Sequence, residues 1–218
     1  MNKAIFLDRD GTINIDKGYV YKLDDFEFLP GAREALRIFQ DLGFLLIIVT
    51  NQSGIARGYY TEEDYLKLDK AMREDLSLHG IEMTDSFFCP HLPDGEIKKY
   101  SLECDCRKPK LGMYERAIRK YNIDLKNSIC IGDKERDVAL CKKFQKTIGY
   151  VLYQDEEKQI KNIKYIKGGL LEAAEKVRSN ARLDQTNSGR KGGFVKSVRE
   201  WKLLKGTGTS WIKNDRDT

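Results

Sequence analysis

No part of this chain stays apolar for long. The longest such run, Leu42 to Val49, covers eight residues, well short of the roughly 20 that cross a bilayer as a helix, so no membrane span is expected. A strand begins by residue 4 and Asp8 follows directly, which leaves no room for a signal peptide. Cysteine is scarce and odd in number: there are five, three of them clustered. That argues against a disulfide framework and for a reducing, cytoplasmic compartment. Internal repeats are absent, as is a GxxxxGK[ST] phosphate loop. No insertion between elements is long enough for a separate cap domain, so the expected site is open, minimally capped and suited to a small substrate. The net charge is +5, yet residues 180–218 hold nine Lys/Arg against four Asp/Glu. Residues 1–179 are therefore neutral overall, and the basic pI gives no reason to expect nucleic-acid binding by the body.

The pattern that is present alternates strand and helix. Ala4 to Leu7 reads as a buried strand, Gly31 to Leu42 as a helix with Ala32, Ala35, Leu36 and Phe39 on one face, and 44–49 as a second strand. Thr61, with Asp64 three residues on, marks a helix start, followed by the stripe Tyr65, Leu68, Met72, Leu76. A short strand holds Phe87 and Phe88, a loop covers 92–105, and Met113 to Tyr121 is helical. Strands at 128–131 and Ile148 to Tyr153 precede a last helix, Leu170 to Val177. Such alternation predicts an α/β fold with a doubly wound parallel sheet, in a domain of residues 1–179 followed by a basic tail, 180–218.

Chemistry collects at strand ends. Asp8 and Asp10 follow the first strand, and residues i and i+2 of extended chain point the same way. One carboxylate can attack phosphorus while the other serves the leaving oxygen. The second strand runs into Thr50-Asn51-Gln52-Ser53-Gly54, whose hydroxyl and loop N–H groups suit phosphate oxygens. Arg107 and Lys108 supply fixed cations. Asp133, in Gly132-Asp133-Lys134-Glu135-Arg136-Asp137, can complete a Mg²⁺ site. Cys89, His91, Cys104 and Cys106 form a CxH…CxC set suited to tetrahedral Zn²⁺. Four protein ligands leave no open position, so the zinc would be structural, stapling the 92–103 loop to the base that carries Arg107 and Lys108.

These segments, in this order, resemble the four motifs of the haloacid dehalogenase superfamily. The resemblance implies Asp8 as nucleophile, Asp10 as general acid then base, and Thr50 and Lys108 on the phosphoryl group. It also implies Mg²⁺ on Asp8, the Asp10 carbonyl and Asp133, with Asp137 orienting them. Within the superfamily the twelve-residue gap between His91 and Cys104 is similar to the heptose bisphosphate phosphatases. The shorter gap of the histidinol-phosphate phosphatases fits less well. The likeness implies that Asp16, Lys17, Gly18, Tyr19, Asn51, Gln52, Ser53, Arg107 and Lys134 contact a small sugar bisphosphate, which loses its C7 phosphate. Read from the residues alone, Lys17 and Arg57 are better taken as solvated loop charges. A DNA 3′-phosphatase and a non-enzymatic zinc module are the competing readings, and a monomer is expected.

The tail departs from that family. Residues 184–193 read as a polar, Gly-rich linker. Phe194, Val195, Val198, Trp201 and Leu204 then fall on one helical stripe among basic residues, either an amphipathic helix or a poorly ordered extension.

Overall fold

A computed structural model of the chain describes residues 1–154 and 160–189. Six strands, β1 (Ala4–Leu7), β2 (Leu45–Asn51), β3 (Asp85–Cys89), β4 (Ile129–Gly132), β5 (Ile148–Leu152) and β6 (Ile163–Ile166), form one sheet in the order β3-β2-β1-β4-β5-β6. Every neighbouring pair is parallel. The helices are α1 (Ala32–Asp41), α2 (Glu62–Leu78), α3 (Gly112–Tyr121), α4 (Ala139–Lys143) and α5 (Leu170–Gly189).

The alternation of side chains along β1 explains why both faces are covered. Ile5 and Leu7 enter one core with α1, α2 and α5, through Leu36, Phe39, Met72 and Ala173. Ala4 and Phe6 enter the other with Met113, Tyr114 and Ala117 of α3. A strand buried on both faces needs an unbroken apolar run, and the four residues of β1 supply it. Each large side chain taken out of water contributes about 1.5–3 kcal/mol. Truncating fully buried Phe39 to Ala would cost about 3–5 kcal/mol. At the start of α2, Thr61 and Asp64 form the expected reciprocal cap: Asp64 N–H donates to Thr61 Oγ1 at 3.1 Å and Thr61 N–H to Asp64 Oδ2 at 2.9 Å. The stripe Tyr65, Leu68, Met72, Leu76 is buried throughout.

The sheet reverses direction of growth at β1. The chain adds β2 and β3 on one side, then crosses to place β4 on the other. A crevice opens at such a switch point, outside the carboxyl ends of the strands. Asp8 follows β1 and Asp133 follows β4, so topology delivers both carboxylates to it.

Two expectations need correction. Strand β6 was missing from the sequence reading; only four residues long at the sheet edge, with Lys164 exposed, it carries little pattern. The last helix runs to Gly189, so 184–189 is helix rather than linker. No proline or glycine interrupts the chain before Gly189, so nothing in it stops the helix. By its internal contacts the chain divides into Met1–Ser179 and Asn180–Thr218. Sheet, cores and candidate site belong to the first unit, and Asn180–Gly189 of the second is the end of α5. The stripe at 194–205 lies outside the described residues, among which no helix is long and apolar enough to cross a membrane.

Candidate active site and metal centre

At the switch point a cavity of about 280 Å³ is lined by Asp8, Asp10, Asp16, Gly18, Tyr19, Thr50, Asn51, Gln52, Ser53, Tyr60, Arg107, Asp133, Lys134 and Arg136. Thirteen residues were expected to act on or bind substrate, and the cavity gathers all but two. Lys17 is not among its walls: its Nζ lies 3.1 Å from Glu27 Oε2, a solvated ion pair. Lys108 is beneath the surface, 2 % exposed.

The floor is built from a buried charge cluster. Lys108 Nζ sits 2.9 Å from Asp8 Oδ1 and 2.7 Å from Asp137 Oδ1, and it donates to the Val49 carbonyl at 2.7 Å. Burial alone would lower the pKa of Lys108; Asp8 and Asp137 outweigh it and hold the ammonium above its ordinary range. Burial, and next to it Asp8, push the Asp137 carboxyl up to about 6 against the pull of Lys108. Asn51 fixes the position of this lysine. Its Nδ2 donates to the Lys108 carbonyl at 3.1 Å and its Oδ1 accepts the Lys108 N–H at 3.0 Å, so a residue expected on substrate also clamps the loop from β2.

Asp10 stands apart from that cluster. Its carboxylate accepts from Arg9, Asn14 and Gln52, while Gln52 also donates to Thr50 Oγ1 at 3.0 Å. Gly11 lets the chain turn away directly after Asp10, its N–H donating to the Asn14 carbonyl at 2.8 Å. Its φ is +79°, and a Cβ there would lie 2.8 Å from Asp133 Oδ2, so a side chain is excluded twice over.

Two groups of ligand atoms fit metals. Carboxylate oxygens of Asp8, Asp133 and Asp137 lie within 4.8 Å of one another, an all-oxygen donor set of the kind hard divalent cations take. Asp10 enters the expected set only through its main-chain carbonyl. The Sγ atoms of Cys89, Cys104 and Cys106 and Nδ1 of His91 form the second group. Cys106 Sγ is 3.2 Å from Cys89 Sγ, 3.3 Å from Cys104 Sγ and 3.2 Å from His91 Nδ1; Cys89 is 3.6 Å from Cys104 and from His91. The edges of a tetrahedron around zinc would be about 3.5–3.8 Å at ordinary Zn–S and Zn–N lengths, so the set needs only to breathe outward slightly. All three thiols are free. Arg107 Nη1 donates to the His91 carbonyl at 3.2 Å, which ties the second group to a cavity cation.

Sequence reasoning passed over three residues. Arg9, fully buried, faces inward between the two acids; an arginine inside such an apolar strand end was the available signal. Tyr60 and Arg136 also line the cavity, and nothing in their local pattern set them apart.

Acids at the end of β1, a hydroxyl at the end of β2, a buried lysine and further acids after β4 define a phosphoryl-transfer enzyme on a doubly wound sheet. The family model for haloacid dehalogenase-like hydrolases matches residues 14–145, and the chain belongs to that family. It is 50% identical over 139 residues to the D-glycero-beta-D-manno-heptose-1,7-bisphosphate 7-phosphatase of Haemophilus ducreyi, covering 62% of this chain and 75% of the relative. It is 45% identical over 171 residues to the D-glycero-alpha-D-manno-heptose-1,7-bisphosphate 7-phosphatase of Campylobacter jejuni, covering 75% and 93%. Among solved structures it is similar to the D,D-heptose 1,7-bisphosphate phosphatase of B. bronchiseptica, complexed with magnesium and phosphate, with a TM-score of 0.69 and 28% identity over 82% of this chain and 99% of that one.

Proposed function

We propose that this protein removes the C7 phosphate of D-glycero-D-manno-heptose 1,7-bisphosphate through an aspartyl-phosphate on Asp8. The observation that carries the reading is the lining of one cavity by two acids with separate partners and by three cations, Arg107, Lys134 and Arg136. Asp8, backed by Lys108, attacks phosphorus, and the bond to the sugar oxygen breaks. Asp10 gives its proton to the leaving alkoxide. It then takes one from the water that cleaves the acyl phosphate. Thr50 and the loop Asn51 to Ser53 receive phosphoryl oxygens, and the three cavity cations suit the remaining phosphate of the sugar. Mg²⁺, held by Asp8, Asp133 and the Asp10 carbonyl, would neutralise charge on the transferring group. Zn²⁺ on Cys89, His91, Cys104 and Cys106 would hold the loop beside Arg107.

The relatives carry the names of both anomers at similar identity, so the reading extends to the bisphosphate and not to one anomer. Phosphate release in Mg²⁺ from both heptose anomers, histidinol phosphate and a 3′-phosphorylated oligonucleotide tests it. The expected result is a kcat/KM for a heptose bisphosphate well above the other two. A preference for either of those overturns the proposal.

A further inference from the structure

The cavity wall behind Asp10 contains a side-chain relay that runs through Gln52 to Tyr60. Arg9 donates from Nε and Nη2 to the Asp10 carboxylate at 3.0–3.2 Å. Its guanidinium is held in turn by the Val20 carbonyl at 2.6 Å and the Tyr65 ring at 5.4 Å. On the other side, Gln52 Nε2 donates to Asp10 Oδ2 at 3.0 Å and to Thr50 Oγ1 at 3.0 Å. Tyr60 closes the chain, donating its hydroxyl to Gln52 Oε1 at 2.5 Å.

An amide side chain has a donating end and an accepting end, and Asp10, once it has given up its proton, can only accept. Gln52 therefore serves Asp10 in one orientation; turned over, it would present oxygen to oxygen. The Tyr60 hydroxyl can bond either end of an amide, so the carboxylate sets which end faces it; the hydroxyl then caps the amide oxygen and holds that orientation in place. Burial raises the pKa of Tyr60, which keeps the phenol a donor. Its ring is fixed by Tyr21, stacked at 5.0 Å and 11°, and by Gly54, where a Cβ would lie 2.1 Å from Tyr60 Cε1. The glycine of the Thr50–Gly54 loop is thereby explained: it admits the ring.

We infer that Tyr60 is a positioning residue for the reaction proposed above, acting through Gln52 to aim Asp10 at the leaving oxygen. The role belongs to proton transfer rather than to substrate affinity. In the transfer to Asp8 it matters for an ester whose leaving group is an alkoxide, which needs the proton, and hardly at all for a nitrophenolate, which departs without one; the later attack by water is common to both.

Tyr60→Phe keeps the ring and removes the hydroxyl, and it is assayed on heptose bisphosphate and on p-nitrophenyl phosphate. The expected result is a kcat/KM on the sugar ester lower by roughly 10- to 100-fold, with the kcat/KM on the nitrophenyl ester, which reports only the steps up to transfer to Asp8, within about twofold of wild type. Tyr21→Leu, which removes the ring stacked on Tyr60, should give a weaker split of the same kind. Equal losses of kcat/KM on both esters, no loss, or a raised KM with kcat kept each overturn the inference, as does a fall in thermal midpoint with uniform loss in both variants. A wild-type enzyme inactive on the bisphosphate removes the proposed function as well, so the two failures are distinct.

Discussion

Lys108 and Asp137 form an ion pair of 2.7 Å with both side chains only 1 % exposed. Asp8 shares the lysine at 2.9 Å. A buried cation between two acids is stable only while its partners are intact, because a lone buried charge keeps its desolvation cost and loses its Coulomb gain.

Asp137→Ala should therefore destabilise the fold by about 3–5 kcal/mol, a fall of roughly 6–20 °C in thermal midpoint. Calorimetry on the purified variant checks this. A change of less than about 2 °C would show that the pair contributes little.

Asp8→Asn retains shape and hydrogen bonding and removes the nucleophile. Turnover should drop by about 10⁴-fold or more, while the protein stays folded by circular dichroism. Near-normal turnover in Mg²⁺ would mean that the reaction does not pass through a phosphorylated Asp8.

The purified protein should carry about one zinc per chain, measured by elemental analysis before any chelator is used. Cys104→Ser should lower that content and raise KM for the bisphosphate through Arg107, whose Nη1 holds the His91 carbonyl. Zinc-free protein with full activity would refute the staple.

Asp85 offers a pH test away from the metals. It accepts from Lys120 Nζ and Tyr121 Oη, each at 2.9 Å, and from the Ser86 N–H at 2.8 Å. Burial raises its pKa, but these donors outweigh burial and hold it below the usual 3.8. A depressed carboxylate stabilises the fold above its unfolded pKa, and that contribution fades as pH falls through the folded value. Asp85→Asn should thus cost on the order of 1 kcal/mol at pH 7, and the gap between the two melting curves should close as pH falls through the depressed pKa of Asp85. A constant gap across that range would refute the assignment.

We propose a body that ends with α5 and needs nothing beyond it. Since α5 runs to Gly189, truncation belongs after that residue. The shortened chain should keep its kcat/KM and its thermal midpoint. A collapse of either would show that the tail is part of the catalytic body.

Much of this was legible in the sequence because the fold is written in local runs. Ala4–Leu7 reads as a strand with no outside help, and the acids behind it mark the crevice. The Cys89, His91, Cys104, Cys106 spacing likewise announces its own cluster. What escaped depends on partners distant in sequence. Lys17 meets Glu27 across a loop, Asn51 reaches Lys108, and Tyr60 finds Gln52 because a glycine leaves room; no periodicity encodes these. Strand β6 escaped because exposed Lys164 breaks the apolar run that marks β1, and four residues leave little alternation to take its place.

The floor of the cavity unites Asp8 from the first strand, Lys108 from a loop well past the middle of the folded body, and Asp137 from beyond the fourth strand. No early fragment of the chain holds all three. During synthesis the reaction centre must wait until β4 has slotted in beside β1, across the largest loop closure the sheet requires. Catalysis is for this reason a late event in the life of the chain, and the appearance of turnover during refolding should report completion of the central sheet rather than its beginning.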